Sequence, residues 1–222
     1  MPSSLTVITG ANRGIGLELA RQSVARGESV VAAVRTASPA LAELDVEVIE
    51  GVDVATNEGV GVLVEAIGKR NIFRLICNAG VLTRETLADL SMDRIRWQLE
   101  VNALGPLRTV GGLANQLSRG SQVGIVTSRM GSIADNTSGS MYGYRMSKAA
   151  VNAAGVSLSR DLAPAGVTVA LLHPGYVRTA MTGHNGYVDP DHAARGLLAR
   201  LDDLTIETSG RFWHADGQEL PW

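Results

Sequence analysis

The chain has 222 residues, 45% of them hydrophobic, with 25 glycines and 7 prolines, which suits one compact domain with a large core. Twenty lysines and arginines stand against 22 aspartates and glutamates; the net charge of −2 is spread without blocks, so neither a nucleic-acid nor an anionic-membrane surface is indicated. Cys77 is the only cysteine, no apolar run approaches about 18 residues and no basic-then-apolar leader opens the chain, so a cytoplasmic protein without disulfide or membrane span is expected.

The first predicted element is a buried strand, Leu5-Thr6-Val7-Ile8-Thr9, running straight into Gly10-Ala11-Asn12-Arg13-Gly14-Ile15-Gly16; Leu17, Leu19, Ala20 and Val24 then mark a helix. Glycines between strand and helix let the backbone approach an anion, and the helix's first turn offers unpaired N–H groups at the positive end of its dipole. The loop is a candidate phosphate cradle. Its spacing differs from G-x-G-x-x-G, and a turn needed only for tight strand-helix packing is the competing reading. Apolar runs predict six more strands, at 29–34, 46–51, 73–78, 123–128, 167–173 and 211–215, with helical patterns between most of them. Continuous rather than alternating apolar runs suit a parallel sheet covered on both faces. The expected architecture is therefore doubly wound α/β, with ligands beyond the carboxyl ends of the strands.

Two long helical stretches are predicted at 92–117 and 142–162. The second opens with Tyr144 and Lys148, four apart and so able to project from one face. A free phenol ionises near pH ~10, and a neighbouring ammonium favours its phenolate, so the pair offers a proton donor and acceptor usable near neutrality. The four histidines, His173, His184, His192 and His214, show no paired ligand spacing, and no metal site is expected.

Thr9-Gly10-x-x-x-Gly14-x-Gly16, Asn78-Ala79-Gly80 after a strand, Asn102, a serine ahead of Tyr144-x-x-x-Lys148, and Pro174-Gly175 followed by Thr179 occur in one order along the chain. Together they resemble the short-chain dehydrogenase/reductase family, from Leu5 to the end. Residues 127–137 and 216–222 are similar to its C-factor and sniffer-type carbonyl reductase branch. The resemblance implies a single domain with a three-layer doubly wound Rossmann fold and a seven-stranded parallel sheet. It further implies hydride transfer between a dinucleotide and a small carbonyl or alcohol substrate. Tyr144 would deliver the proton, Lys148 would lower the phenol's pKa and hold the nicotinamide ribose, Asn102 would support a proton-relay water, and Ser128 would bind the substrate oxygen. The cofactor would contact Gly10, Asn12, Arg13, Gly14, Ile15, Gly16, Arg35, Asp53, Val54, Asn78, Ala79, Gly80, Tyr144, Lys148, Pro174, Gly175, Val177 and Thr179.

Charge selects between cofactors. The second strand ends Ala32-Ala33-Val34-Arg35-Thr36 without the carboxylate that would receive a free ribose 2′-hydroxyl, and Arg13 adds a second cation, so NADP(H) is expected over NAD(H). Either arginine read alone is an ordinary solvated side chain, and Asp53 read alone caps the next helix, a task Thr56 could also take. Sixteen residues separate Ser128 from Tyr144, where about thirteen are common in the family. Ser128 is preferred to Ser132 because it is placed at a strand end. Residues 181–191, rich in Gly, Asn, His and Tyr, are expected to form a short substrate flap. The two long helices carry small and apolar residues on more than one face and, by the resemblance, imply a homodimer or homotetramer. A non-catalytic NADP(H)-binding signalling protein of C-factor type is the alternative; an epimerase would need a larger C-terminal region.

Overall fold

The computed structural model describes residues 4–222. Its strands are β1 Leu5–Thr9, β2 Ser29–Ala33, β3 Glu47–Ile49, β4 Ile72–Cys77, β5 Leu117–Val126, β6 Thr168–His173 and β7 Phe212–His214. Its helices are α1 Gly14–Ala25, α2 Pro39–Ala42, α3 Asn57–Ile67, α4 Met92–Leu99, α5 Gly105–Gly112, α6 Tyr142–Leu162 and α7 Pro190–Asp202. All seven strands pair in parallel in one sheet, ordered β3-β2-β1-β4-β5-β6-β7. The expected doubly wound fold is thus present.

Alternation along each strand divides the core into two layers. Val7, Val31, Leu75, Cys77, Ile125 and Leu171 pack under Leu63 and Ile67 of α3, Val110 of α5 and Val151 of α6. Ile8, Ala32, Ile76, Ala170 and Leu172 face Leu19 and Ala20 of α1 and Leu197, Leu198 and Leu201 of α7. Both faces are covered, which is why these strands read as unbroken apolar runs. The order reverses between β1 and β4, whose ends lie side by side with Thr9 opposite Cys77. The chain leaves that switch point as Gly10 on one strand and Asn78 on the next, opening a crevice there.

Three predicted elements differ from what forms. The stretch 92–117 is not one helix: α4 passes through a π turn, Glu100–Leu104, into α5, and a 3-10 turn, Ala114–Gln116, hands over to β5 at Leu117. β5 consequently starts six residues before the predicted 123. Its polar first half, with Gly120 at φ +89°, has no strand pattern; Ser121 Oγ secures it by donating to Ile72 O at 2.5 Å and accepting Ser118 N–H at 2.9 Å. At its other end β5 stops at Val126, so Ser128 lies just past the strand and caps a 3-10 turn, accepting Met130 N–H at 3.1 Å. The edge strand β3 is cut to three residues because it pairs only with β2.

One strand carries a charge into the interior. Arg74 of β4 is 2% exposed and reaches Glu28 Oε1 at 3.2 Å, Asp202 Oδ1 at 2.8 Å and Gln122 Oε1 at 3.0 Å. Thr6 Oγ1 donates to the other Glu28 oxygen at 2.6 Å. Each guanidinium nitrogen and both Glu28 oxygens are partnered, as a buried ionic group requires.

Candidate active site

The loop after β1 is built for close approach. Gly10 has φ +68°, and a Cβ there would stand 2.9 Å from Ala79 Cα; a Cβ on Gly16 would come within 2.3 Å of Gly10 O and 2.5 Å of Asn78 Nδ2. Asn78 fastens the loop to β4, donating from Nδ2 to Thr9 O and Gly10 O, both at 3.1 Å, while its own N–H and that of Ala79 bond Thr9 Oγ1. α1 starts at Gly14, and the side chain of the preceding Arg13 caps none of its first-turn N–H groups. Those donors stand at the positive end of a twelve-residue helix, a site for an anion.

A cavity of about 480 Å³ opens from this loop. Gly10, Asn12, Arg13, Gly14, Ile15, Gly16, Arg35, Asp53, Val54, Asn78, Ala79, Gly80, Pro174 and Thr179 line it together with Tyr144 and Lys148. The glycine loop, the far end of β2 and the start of α6 therefore share one chamber. Arg13 and Arg35 are exposed at its wall, and among the described residues neither forms an ion pair. No carboxylate ends β2. Thr56 caps α3, accepting Gly59 N–H at 3.0 Å, which leaves Asp53 to fold its own turn by accepting Ala55 N–H at 2.9 Å. A cradle of open N–H groups with two free guanidinium groups fits a dinucleotide carrying an additional phosphate.

Four predicted site residues lie off the wall of the chamber: Asn102, Ser128, Gly175 and Val177. Gly175, at φ +90°, turns the chain, and Val177 is buried in a bridge to Val188. Several lining residues were not foreseen, among them Val81, Val101, Val126 and Arg178, whereas Met181 and His184 belong to the segment 181–191 expected as the substrate flap. Val81 and Val126 adjoin the recognised segments at the ends of β4 and β5, and that adjacency was their only signal in the sequence.

At the mouth of β5 the two reactive side chains meet. Lys148, 4% exposed, places Nζ 5.7 Å from the Tyr144 ring centroid and donates to Val126 O at 2.9 Å. Burial pushes the lysine down from 10.5 to about 8 and the phenol up from 10.0 to about 12, with the Ser128 side chain pulling the phenol back down. The expected depression of the phenol by Lys148 is therefore not what this arrangement produces. The ammonium lies over the ring face, and loss of solvent penalises charge on both groups.

Ser128 and Ser132 are used differently. Ser128 interacts with the Tyr144 phenol. Ser132, 2% exposed, spends its hydroxyl on Asp135 N–H at 3.1 Å. Asn102 stands behind the chamber in the π turn, its Oδ1 accepting Val81 N–H at 2.8 Å and its Nδ2 donating to Val81 O at 2.9 Å and Ser147 Oγ at 3.0 Å. Its side chain is thus consumed in fixing the segment after Gly80 and the back of α6. Pro106, four residues on, has no N–H to close an ordinary helical bond to the Asn102 carbonyl, and it is here that the helix passes through the π turn.

Comparison with known proteins agrees with this geometry. The short chain dehydrogenase family model matches residues 4–187, and the chain belongs to that family. It is 44% identical over 225 positions, covering 99% of this chain and all of the relative, to 1-hydroxy-2-glutathionyl-2-methyl-3-butene dehydrogenase of Rhodococcus sp. (strain AD45). It is 45% identical over 151 positions, 67% of this chain and 91% of the relative, to C-signal of Myxococcus xanthus. Among solved structures it superposes on the NADPH-bound carbonyl reductase from chicken fatty liver with TM-score 0.88 and 25% identity, over 99% of this chain and 98% of the other. The C-factor and carbonyl reductase branch named from the sequence is the one these relatives represent.

Proposed function

We propose that the chain is an NADP(H)-dependent carbonyl reductase, running in reverse as an alcohol dehydrogenase, with Tyr144 as general acid and base. One observation carries it: Tyr144 and Lys148 open onto the same chamber as the glycine loop, Arg13 and Arg35. When bound, the cofactor supplies the hydride. The chain's own residues do the rest. The α1 N-terminus and Gly10–Gly16 backbone hold the pyrophosphate, Arg13 and Arg35 hold the additional phosphate, and Pro174 and Thr179 border the nicotinamide end.

As negative charge gathers on the substrate oxygen, Ser128 donates a hydrogen bond and Tyr144 gives up its proton. A phenol held well above neutral pH stays protonated until it is called on, which suits an acid. Lys148, with Asn102 behind it, is the route for reprotonation. Residues 181–191, with Met181 and His184 on the cavity wall, form the substrate flap. We place the protein in the cytoplasm as a homodimer or homotetramer; among the described residues no helix is long and apolar enough to cross a membrane.

The test is NADPH oxidation over a panel of aldehydes, ketones and quinones, with the hydroxy-glutathionyl compound of the Rhodococcus relative's name run with NADP+. Tyr144→Phe should lower turnover by at least about 100-fold. Wild-type turnover in that variant on any accepted substrate would remove Tyr144 from its role. The likeness to C-signal supports a second reading, a non-catalytic NADP(H)-binding signalling protein. It is distinguished by tight NADP(H) binding, an inert panel and a signal that survives Tyr144→Phe.

A further inference from the structure

The start of α6 holds Tyr144 in place, yet it lacks the usual means of holding itself. Its N-cap residue is Met141, at φ 56° and with no side-chain cap, and Ser140 before it has φ 54°. Two successive non-glycine residues in the left-handed region form a strained approach, which persists only where surroundings impose it. What imposes it comes from the segment leading into α4, which packs beside α6. Glu85, in the segment between β4 and α4, is fully buried. Its backbone carbonyl accepts Met141 N–H at 2.8 Å, and its carboxylate Oε2 accepts Gly143 N–H at 3.3 Å.

The carboxylate is itself held. Gln98 of α4, also fully buried, donates from Nε2 to both oxygens, at 3.2 and 3.3 Å, while its Oε1 accepts Thr83 N–H at 3.0 Å. The Thr83 hydroxyl donates to Glu85 Oε1, and Arg94 Nε stands 3.7 Å from the same oxygen. Gly143 leaves room for this arrangement and no more: a Cβ there would lie 2.2 Å from Gln98 Nε2 and 3.0 Å from Ile95 Cα. A fully buried acidic side chain thus spans three elements and ends on the amide one residue before Tyr144.

The geometry points to Glu85 as a positioning residue that caps α6 from outside and sets where the Tyr144 hydroxyl stands in the chamber. A carboxylate at a helix N-terminus satisfies an otherwise orphaned N–H and complements the dipole. The Glu85 backbone carbonyl holds the Met141 N–H beside it, and a first turn that lost the carboxylate would be free to turn or slide with Tyr144 on it. Glu85 is not on the chamber wall, so its loss should act on the chemical step rather than on binding.

The inference rests on the proposed role of Tyr144, and the experiment separates the two. In the full chain, Glu85→Met should lower kcat about tenfold to 100-fold, as small misplacements of a reacting group do, with the NADPH Kd within about twofold of wild type. Glu85→Gln keeps a carbonyl acceptor for Gly143 N–H and should restore most of kcat. Amide hydrogen exchange gives a readout that needs no variant: the N–H groups of Met141 and Gly143 should be protected in the wild-type chain, although first-turn amides ordinarily exchange freely. Wild-type kcat in Glu85→Met, with Tyr144→Phe inactive, overturns the positioning role and leaves Tyr144 its own. Unprotected amides at 141 and 143 in the wild type overturn the clamp whatever the kinetics show.

Discussion

At the scale of single residues, Lys148 carries a cost that its position makes measurable. Its pKa falls from 10.5 to about 8 because burial disfavours the ammonium. Below about pH 8 the folded chain bears that burden in full. Between about pH 8 and 10.5 the unfolded chain still holds a proton the folded one has released, so stability rises with pH, by roughly 3 kcal/mol across the whole interval. Above pH 10 the phenol opposes it: Tyr144, raised from 10.0 to about 12, stays protonated when folded, so its contribution declines as pH climbs. Between pH 8 and 10, denaturant midpoints should therefore rise for the wild type relative to Lys148→Met, whose lost bond to Val126 O is a constant offset. A difference that stays flat across that window would mean the ammonium is not burdened. The four-residue spacing of Tyr144 and Lys148 was plain in the sequence. The direction of the phenol's pKa was not, because desolvation is set by β5 and the 3-10 turn that cover the pair. Glu85 was equally hidden: Arg84-Glu85-Thr86 reads as a polar loop, and only the folded chain brings it to Gly143.

At the scale of elements, the strands were legible where Val, Ile and Leu run together, and illegible where hydrogen bonds rather than side chains make the strand, as in 117–122. The π turn was marked by Pro106 standing four residues after Asn102, a spacing that removes one helical bond at a chosen carbonyl. Around that turn, α4, the turn itself, α5 and α6 leave apolar side chains outward: Met92, Trp97, Leu104, Leu107 and Met146 are between 41% and 50% exposed. On α6 the next two exposed positions after Met146 are Ala150 and Ala153, small enough for another helix to come close. A second copy meeting this face across a two-fold axis would bury it on both chains. Sedimentation at micromolar concentration should give twice the chain mass. Trp97→Glu, which places a carboxylate in the middle of that contact, should weaken the dimer by about 30-fold. A wild-type chain sedimenting as a single monomer would refute the arrangement.

At the scale of the whole molecule, the sheet has a reactive end and a structural end. Loops leaving the carboxyl ends of the strands form the chamber, and their motifs were readable because cofactor binding constrains residue type at fixed spacing. Arg74 belongs to the other end. Nothing in Ile72-Phe73-Arg74-Leu75 announces that its guanidinium turns inward, since Glu28, Gln122 and Asp202 are 46, 48 and 128 residues away in sequence. Arg74→Ala would strand the Glu28 carboxylate, whose side chain is 10% exposed, whereas Asp202, 47% exposed, keeps both water and Arg26 at 2.9 Å. The loss should be about 3–5 kcal/mol in denaturant unfolding. The double substitution Arg74→Met with Glu28→Gln, which removes both charges but leaves an acceptor for Thr6, should lose less than the single one. NADPH turnover per folded molecule should be unchanged in both, because the cluster lies at the amino end of the sheet, away from Tyr144. A single substitution costing no more than the double would show that the Glu28 carboxylate finds water when its partner goes, and that the network does not hold this end of the sheet together.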